Sequence, residues 1–348
     1  MARSIARSRP RLYYTMSIGV IFLTLLIVDI KSNPSSFADY YGYVFITDDL
    51  YNHVSRNWYT FEPISSGLLY GLRVISDNSL TSTDIARYFL PLVFFLSLVV
   101  VARRYQSSWQ SVLIIFALFG PMLAFVTLRA TPAYFVVALA AMSASRGKYI
   151  SIVLCLIGSL FHVSALLALP PLVISVFQNR FKALEWLNRR GSAIVLAIIA
   201  YGVLFFVFRD DIIAFFLKLM SVFPAAIGKY FVYFVSVDQD VSTPLPGHPA
   251  SVYHVEYWAA ASAFVIFFLL LNDDRCIRLR GYLLSSYIIF VFMEFSPGSA
   301  FRESLFWVIP GILAAPWNRL RVGGFRDVAI VLGSVVIFVV QFRNILAW

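Results

Sequence analysis

Charge is what this sequence has least of. Only 13% of its 348 residues are Asp, Glu, Lys or Arg, against 60% hydrophobic, and a water-soluble globule cannot cover itself with so little polarity. Cysteine is nearly absent as well. Cys155 falls in an apolar run and Cys276 in a basic connection, which argues against a disulfide framework or a cysteine-ligated metal. Histidine is scarce, and no two of the four have the i, i+4 spacing of a helical zinc site. There is no internal repeat, low-complexity tract or soluble segment. The simplest organisation is one integrated membrane domain over residues 1–348.

Long apolar runs fill the chain instead. They cover 13–30, 85–102, 109–128, 132–145, 191–208, 257–271, 282–295, 305–316 and 328–342. Each must close its own backbone hydrogen bonds in lipid and is therefore helical. The apolar stretch 146–180 is too long for one upright helix at about 1.5 Å per residue, and Phe161, His162, Pro170 and Pro171 interrupt it. It reads as two short spans meeting near His162. The expected fold is an all-α polytopic integral membrane protein with about eleven transmembrane helices.

Basic residues set the orientation. Arg3, Arg7, Arg9 and Arg11 precede the first run, and Arg103 with Arg104, Arg146 with Lys148, and the stretches 180–190, 275–280 and 319–326 fill every second connection. By the positive-inside rule these ends are cytoplasmic. The net charge of +10 thus reports topology, and gives no reason to expect a nucleic acid partner. No small-residue cleavage site follows the first run, so it is expected to be a retained helix. Parity then requires the stretch 146–180 to leave and return, which puts His162 on the outer side. The same side receives 31–84, Arg129, the loop 209–256 and the segment 294–303. Amphipathic pieces at 64–75 and 212–222 are expected to lie in the outer interface or to re-enter the bundle.

Nearly every residue able to do chemistry falls on that outer side. Asp39, Tyr40, Tyr41 and Tyr43, followed by Asp48, Asp49 and Tyr51, alternate carboxylates with rings. Sugar-binding surfaces use this composition, and so does an interfacial aromatic belt. Glu62-Pro63 suits a helix start, where capping alone accounts for the carboxylate. Arg129 stands between two apolar spans, either anchoring a helix end at the headgroups or gripping phosphate oxygens. His162 lies between two very apolar stretches, as a packing partner or as a base. Lys229 with Tyr230 and Tyr233, and Arg302 with Glu303, add cations and phenols on the same side.

Taken in order, these residues resemble a known pattern. Asp39-x-x-x-Tyr43, Glu62-Pro63, Leu128-Arg129, Phe161-His162-x-Ser164-Ala165, Lys229-Tyr230-x-x-Tyr233, and Arg302 followed by Phe306 and Ile309-Pro310 resemble the EpsG-like branch of Wzy polysaccharide polymerases, from about residue 35 to 315. The Phe-His-x-Ser-Ala element is the most distinctive. Ala130 departs from the Arg-Gln pair common in the family, which weakens a glutamine-assisted site.

The resemblance implies a GT-C-like membrane fold with periplasmic interfacial helices in the bacterial inner membrane. It implies a periplasmic reaction that passes a glycan from undecaprenyl pyrophosphate to the sugar hydroxyl of a new lipid-linked repeat unit, with a flippase and a chain-length regulator as partners and no cofactor. In that scheme Arg129, Arg302 and Lys229 hold the pyrophosphate without a metal. His162 is the first candidate base, followed by Glu62 or Asp39, and Tyr43, Tyr230 and Tyr233 position sugar rings. Competing expectations are a GT-C glycosyltransferase with a polyprenyl-phosphate donor and an Asp39 or Asp48-Asp49 metal site, an O-antigen ligase, and a transporter. The transporter is disfavoured by the lack of repeats and of paired broken helices.

Overall fold

The computed structural model describes residues 38–52, 62–125, 127–178, 250–271, 273–292 and 297–317, with isolated positions between 197 and 211. Among them every regular element is helical. In chain order these are α1 (Ala38–Asn52), α2 (Pro63–Ser76), α3 (Ser79–Arg104), α4 (Trp109–Phe125), α5 (Thr131–Ala144) and α6 (Ile150–Phe161). A 3-10 turn follows at Val163–Ala168, then α7 (Leu169–Phe177), α8 (Ala250–Leu270), α9 (Asp274–Phe292) and α10 (Pro297–Ala314). The runs expected at 13–30, 191–208 and 328–342 and the amphipathic piece at 212–222 lie wholly or largely outside the described residues.

Among the described residues the expected apolar runs are helical. The run 85–102 sits within α3, whose 26 residues measure about 39 Å. Among the described residues α3 is the helix long and apolar enough to cross a bilayer alone. The amphipathic piece at 64–75 is α2. Three boundaries differ from expectation. Residues 38–52 form α1, although their acids and tyrosines give no apolar face. Helix α8 begins at Ala250, inside the expected outer loop. Helix α9 begins at Asp274, an acid in its first turn, so Cys276 lies buried in a helix and not in a connecting loop.

Sequence chemistry fixes the corner between α2 and α3. Asp77 takes a left-handed conformation, φ 58°, and donates its N–H to the Arg73 carbonyl, an ending that short polar side chains tolerate. Asn78 then caps α3, its Oδ1 accepting from the Leu80 and Thr81 N–H groups at 2.8 and 3.4 Å. Helix α3 leaves the corner two residues after α2 ends.

Helix α5 runs through the middle, packed against α3, α6, α7 and α10. Its buried Ala133, Ala138, Ala140, Ala141 and Ala144 let neighbouring backbones approach closely, the means of association left to helices in lipid. Gly311 on α10 makes room for the Phe268 ring, which would stand 2.4 Å from a Cβ at that position. Polar side chains tie the helices without meeting lipid. Tyr282 Oη donates to the Phe306 carbonyl at 2.6 Å, and the Tyr105 hydroxyl pairs with Ser143 at 2.8 Å.

The bundle has two chemically distinct ends. At one, the Arg146 guanidinium lies over the Tyr105 ring at 4.4 Å, Arg275 Nη1 donates to the Gln106 carbonyl at 2.6 Å, and Gln178 Nε2 donates to the Arg278 carbonyl. These contacts gather the basic connections 103–108, 145–149 and 273–278. Helix α6 leads from there to His162, and α7 leads back to Gln178. Residues 150–178 therefore run from this end of the bundle to the other and back, and Glu62, Arg129 and His162 lie at the opposite end.

Candidate active site

Each member of the cluster at this opposite end stands where a helix starts or stops. Glu62 precedes Pro63 at the start of α2, Arg129 lies in the turn between α4 and α5, and His162 terminates α6 in an extended conformation, φ −151° and ψ 124°.

Glu62 binds all three segments together. Although it occupies the N-cap position, its side chain makes no capping hydrogen bond, so the capping explanation fails. Its Oε2 accepts from Arg129 Nη1 at 2.9 Å, and its Oε1 accepts from the Val163 N–H at 3.3 Å and lies 3.6 Å from His162 Nε2. Glu62 is only 7% exposed, and burial of a carboxylate requires this kind of pairing. On the far side of the imidazole, Nδ1 and Ser164 Oγ are 2.5 Å apart. A proton on Nε2 suits the neighbouring carboxylate and leaves Nδ1 to accept from the Ser164 hydroxyl. Carboxylate, imidazole and hydroxyl thus form one row.

Ser65 was not singled out in the sequence, yet it organises the cluster. One turn into α2, buried, it directs its hydroxyl at the Phe161 carbonyl, 2.7 Å, and the Arg129 carbonyl, 3.1 Å. A single donor therefore holds the residue before His162 against Arg129 itself. The available signal was periodicity: Glu62, Ser65 and the buried Leu69 share one stripe of α2. Thr131 stabilises the Arg129 turn, its hydroxyl lying 2.8 Å from the Thr127 carbonyl and 3.0 Å from that of Leu123.

The remaining expected residues divide. Tyr43 is buried, at 8% exposure, with its ring centroid 6.0 Å from the Arg129 guanidinium carbon. It stands at the site as a wall and not as an open stacking surface. Asp39 lies on α1 one turn before Tyr43. Arg302 stands in the first part of α10, immediately before the buried Glu303. Helix α10 packs on the 3-10 turn that starts after His162. There Glu303, Ser286, Phe306, Trp307, Leu167 and Ala168 line a cavity of about 20 Å³, room for about one water. Lys229, Tyr230 and Tyr233 lie outside the described residues.

The arrangement can do acid–base chemistry beside a fixed guanidinium. Arg129 has five N–H donors in one plane, of which Glu62 takes one. A guanidinium held this way can present further donors to an anion without having to be ordered first.

Comparison with known proteins agrees with this picture at the level of family. No curated protein and no solved structure matches the chain. The family model described as EpsG family matches residues 12–347, nearly the whole length and every segment that contributes to the cluster. With its apolar helices and no strand among the described residues, the chain belongs to the EpsG family, a family of membrane proteins whose suggested role is polysaccharide polymerisation.

Proposed function

We propose that this protein polymerises lipid-linked oligosaccharide repeat units at the periplasmic face of the bacterial inner membrane, moving a growing glycan from undecaprenyl pyrophosphate onto a sugar hydroxyl of the next unit. The observation that carries the reading is the meeting of Glu62, Arg129 and His162, three ionisable residues from separate segments, at the end of the bundle opposite the basic connections. Ionisable groups brought together at the end of an apolar bundle mark a reaction or a pathway. Membership of a polymerase-like family favours reaction.

In this mechanism the acceptor O–H takes the place of the Ser164 hydroxyl and gives its proton to His162 at Nδ1. The acceptor oxygen bonds to the anomeric carbon as the bond from that carbon to pyrophosphate breaks, and the electron pair leaves with the pyrophosphate. Glu62, beside Nε2, balances the imidazolium that forms. Arg129 and Arg302, with Lys229, hold the leaving pyrophosphate and the negative charge it gains. Asp39 is the reserve base, and Tyr43, Tyr230 and Tyr233 shape the sugar path. A direct displacement of this kind inverts the anomeric centre.

The test is purified protein in bilayer discs supplied with lipid-linked repeat units, with products resolved on a gel. A ladder of products is expected from the native protein. His162→Ala should slow its formation by about 10²–10⁴-fold while protein level stays normal. A product extended by one sugar would indicate a single-sugar transferase instead, and an undiminished ladder from the His162→Ala variant would remove the imidazole from the mechanism.

A further inference from the structure

Helices α1 and α2 carry a second constellation that the transfer chemistry leaves unused. Tyr51, in the last turn of α1, is 40% exposed. The Arg73 guanidinium carbon stands 4.3 Å from the centroid of its ring, and the Tyr70 ring lies 6.3 Å away, tilted by 32°. Asp48 Oδ1 is 3.6 Å from Arg73 Nε and accepts a hydrogen bond from Ser79. Buried Arg73 Nε reaches no acceptor within hydrogen-bond distance. A half-open tyrosine, a second ring, a carboxylate and a guanidinium thus share one patch.

Its placement connects it to the transfer site. Glu62 opens α2 and Arg73 ends it, about 16 Å apart along the helix axis, the length of roughly three pyranose rings. Helix α1 runs alongside in the same sense, with Tyr43 beside Arg129 and Tyr51 beside Arg73. One pair of helices therefore links the two clusters. Tyrosine and arginine at an interface also serve as headgroup anchors. Here, however, Asp48 lies beside the Arg73 guanidinium, so the four residues of the patch offer no excess positive charge to draw anionic headgroups. Rings that cover the apolar faces of sugars, beside a carboxylate and guanidinium N–H groups that meet hydroxyls, fit a carbohydrate.

We propose that Asp48, Tyr51, Tyr70 and Arg73 form a saccharide subsite that holds the glycan about three sugars from the bond being made. The proposal rests on the polymerase reading of the first site, and its test needs no turnover. Oligosaccharides of three or more sugars, cut from the cell's own polymer by mild acid and free of lipid, are titrated into the purified full-length protein in bilayer discs, with binding read by saturation-transfer NMR. Tyr51→Ala should weaken binding by about fivefold, and Tyr51→Phe, which keeps the ring, should stay near the native affinity. Equal binding by native and Tyr51→Ala protein would overturn the subsite. So would an effect of Tyr51→Ala that shows only as reduced affinity for vesicles of anionic lipid. Native protein that binds these oligosaccharides through Tyr51 yet forms no ladder would refute the polymerase reading alone.

Discussion

Arg129 and Glu62 satisfy each other's charge at 2.9 Å, the carboxylate buried and the guanidinium partly open. This has a kinetic consequence. A lysine at 129 keeps the charge but loses the planar fork, so it cannot hold a carboxylate and a phosphate oxygen at once. Arg129→Lys should therefore slow transfer by about 100-fold, and Glu62→Gln by a similar factor. If the pair acts as one unit, the double variant should be no slower than the slower single variant. Initial rates of ladder formation at fixed substrate decide this, and a multiplicative loss in the double variant would show two independent roles. Glu62, Arg129 and His162 were each visible in the sequence as oddities: an acid before proline, a cation between spans, an imidazole in an apolar run. Their mutual contact was not, because pairing across 67 and 100 residues of sequence leaves no local trace.

Among the elements, α2 has two jobs that mutation can separate. Its start positions the site through Ser65, and its end turns the chain into α3 through Asp77 and Asn78. Ser65→Ala leaves two carbonyls without their shared donor, at a cost of about 1–3 kcal/mol. Asn78→Ala removes a cap at a cost of about 1 kcal/mol. Both variants should unfold at lower temperature in detergent. Only Ser65→Ala should also lower the rate at saturating substrate, and equal rates in the two variants would deny Ser65 a positioning role. The helices themselves were legible in unequal measure. An apolar run such as 85–102 has no other solution in lipid, so α3 could be read directly. Helix α1 could not, because residues 38–52 bear acids and phenols around the helix and owe their order to packing on α2 and α3. The start of α9 was missed for a related reason: Asp274, Arg275, Arg278 and Arg280 read as a connection, although charges are readily carried in the end turns of a helix.

For the whole molecule, the two-ended distribution of charge makes a prediction about sidedness. Both native thiols, Cys155 and Cys276, are buried, so they should stay silent towards a membrane-impermeant maleimide. Cysteine introduced at exposed Asn52 should then react in intact cells. Cysteine introduced at exposed Lys148 should react only after the membrane is opened. Labelling of both positions in intact cells would place the clusters and the basic connections on the same side, and the proposed reaction would lose its compartment.

The shortness of the hairpin that carries His162 reaches beyond the protein. Its outgoing arm, α6, has 12 residues and rises about 18 Å, against a hydrocarbon slab of about 30 Å. With the arm's base at the inner headgroups, its tip stops roughly 12 Å below the outer hydrocarbon boundary. The imidazole then sits at the bottom of a well in the bilayer. In the proposed reaction a carrier lipid reaches it by sinking its diphosphate into that well while its long isoprenoid tail stays dissolved in the surrounding lipid, and the thickness of the host membrane becomes a determinant of how readily substrate and imidazole meet.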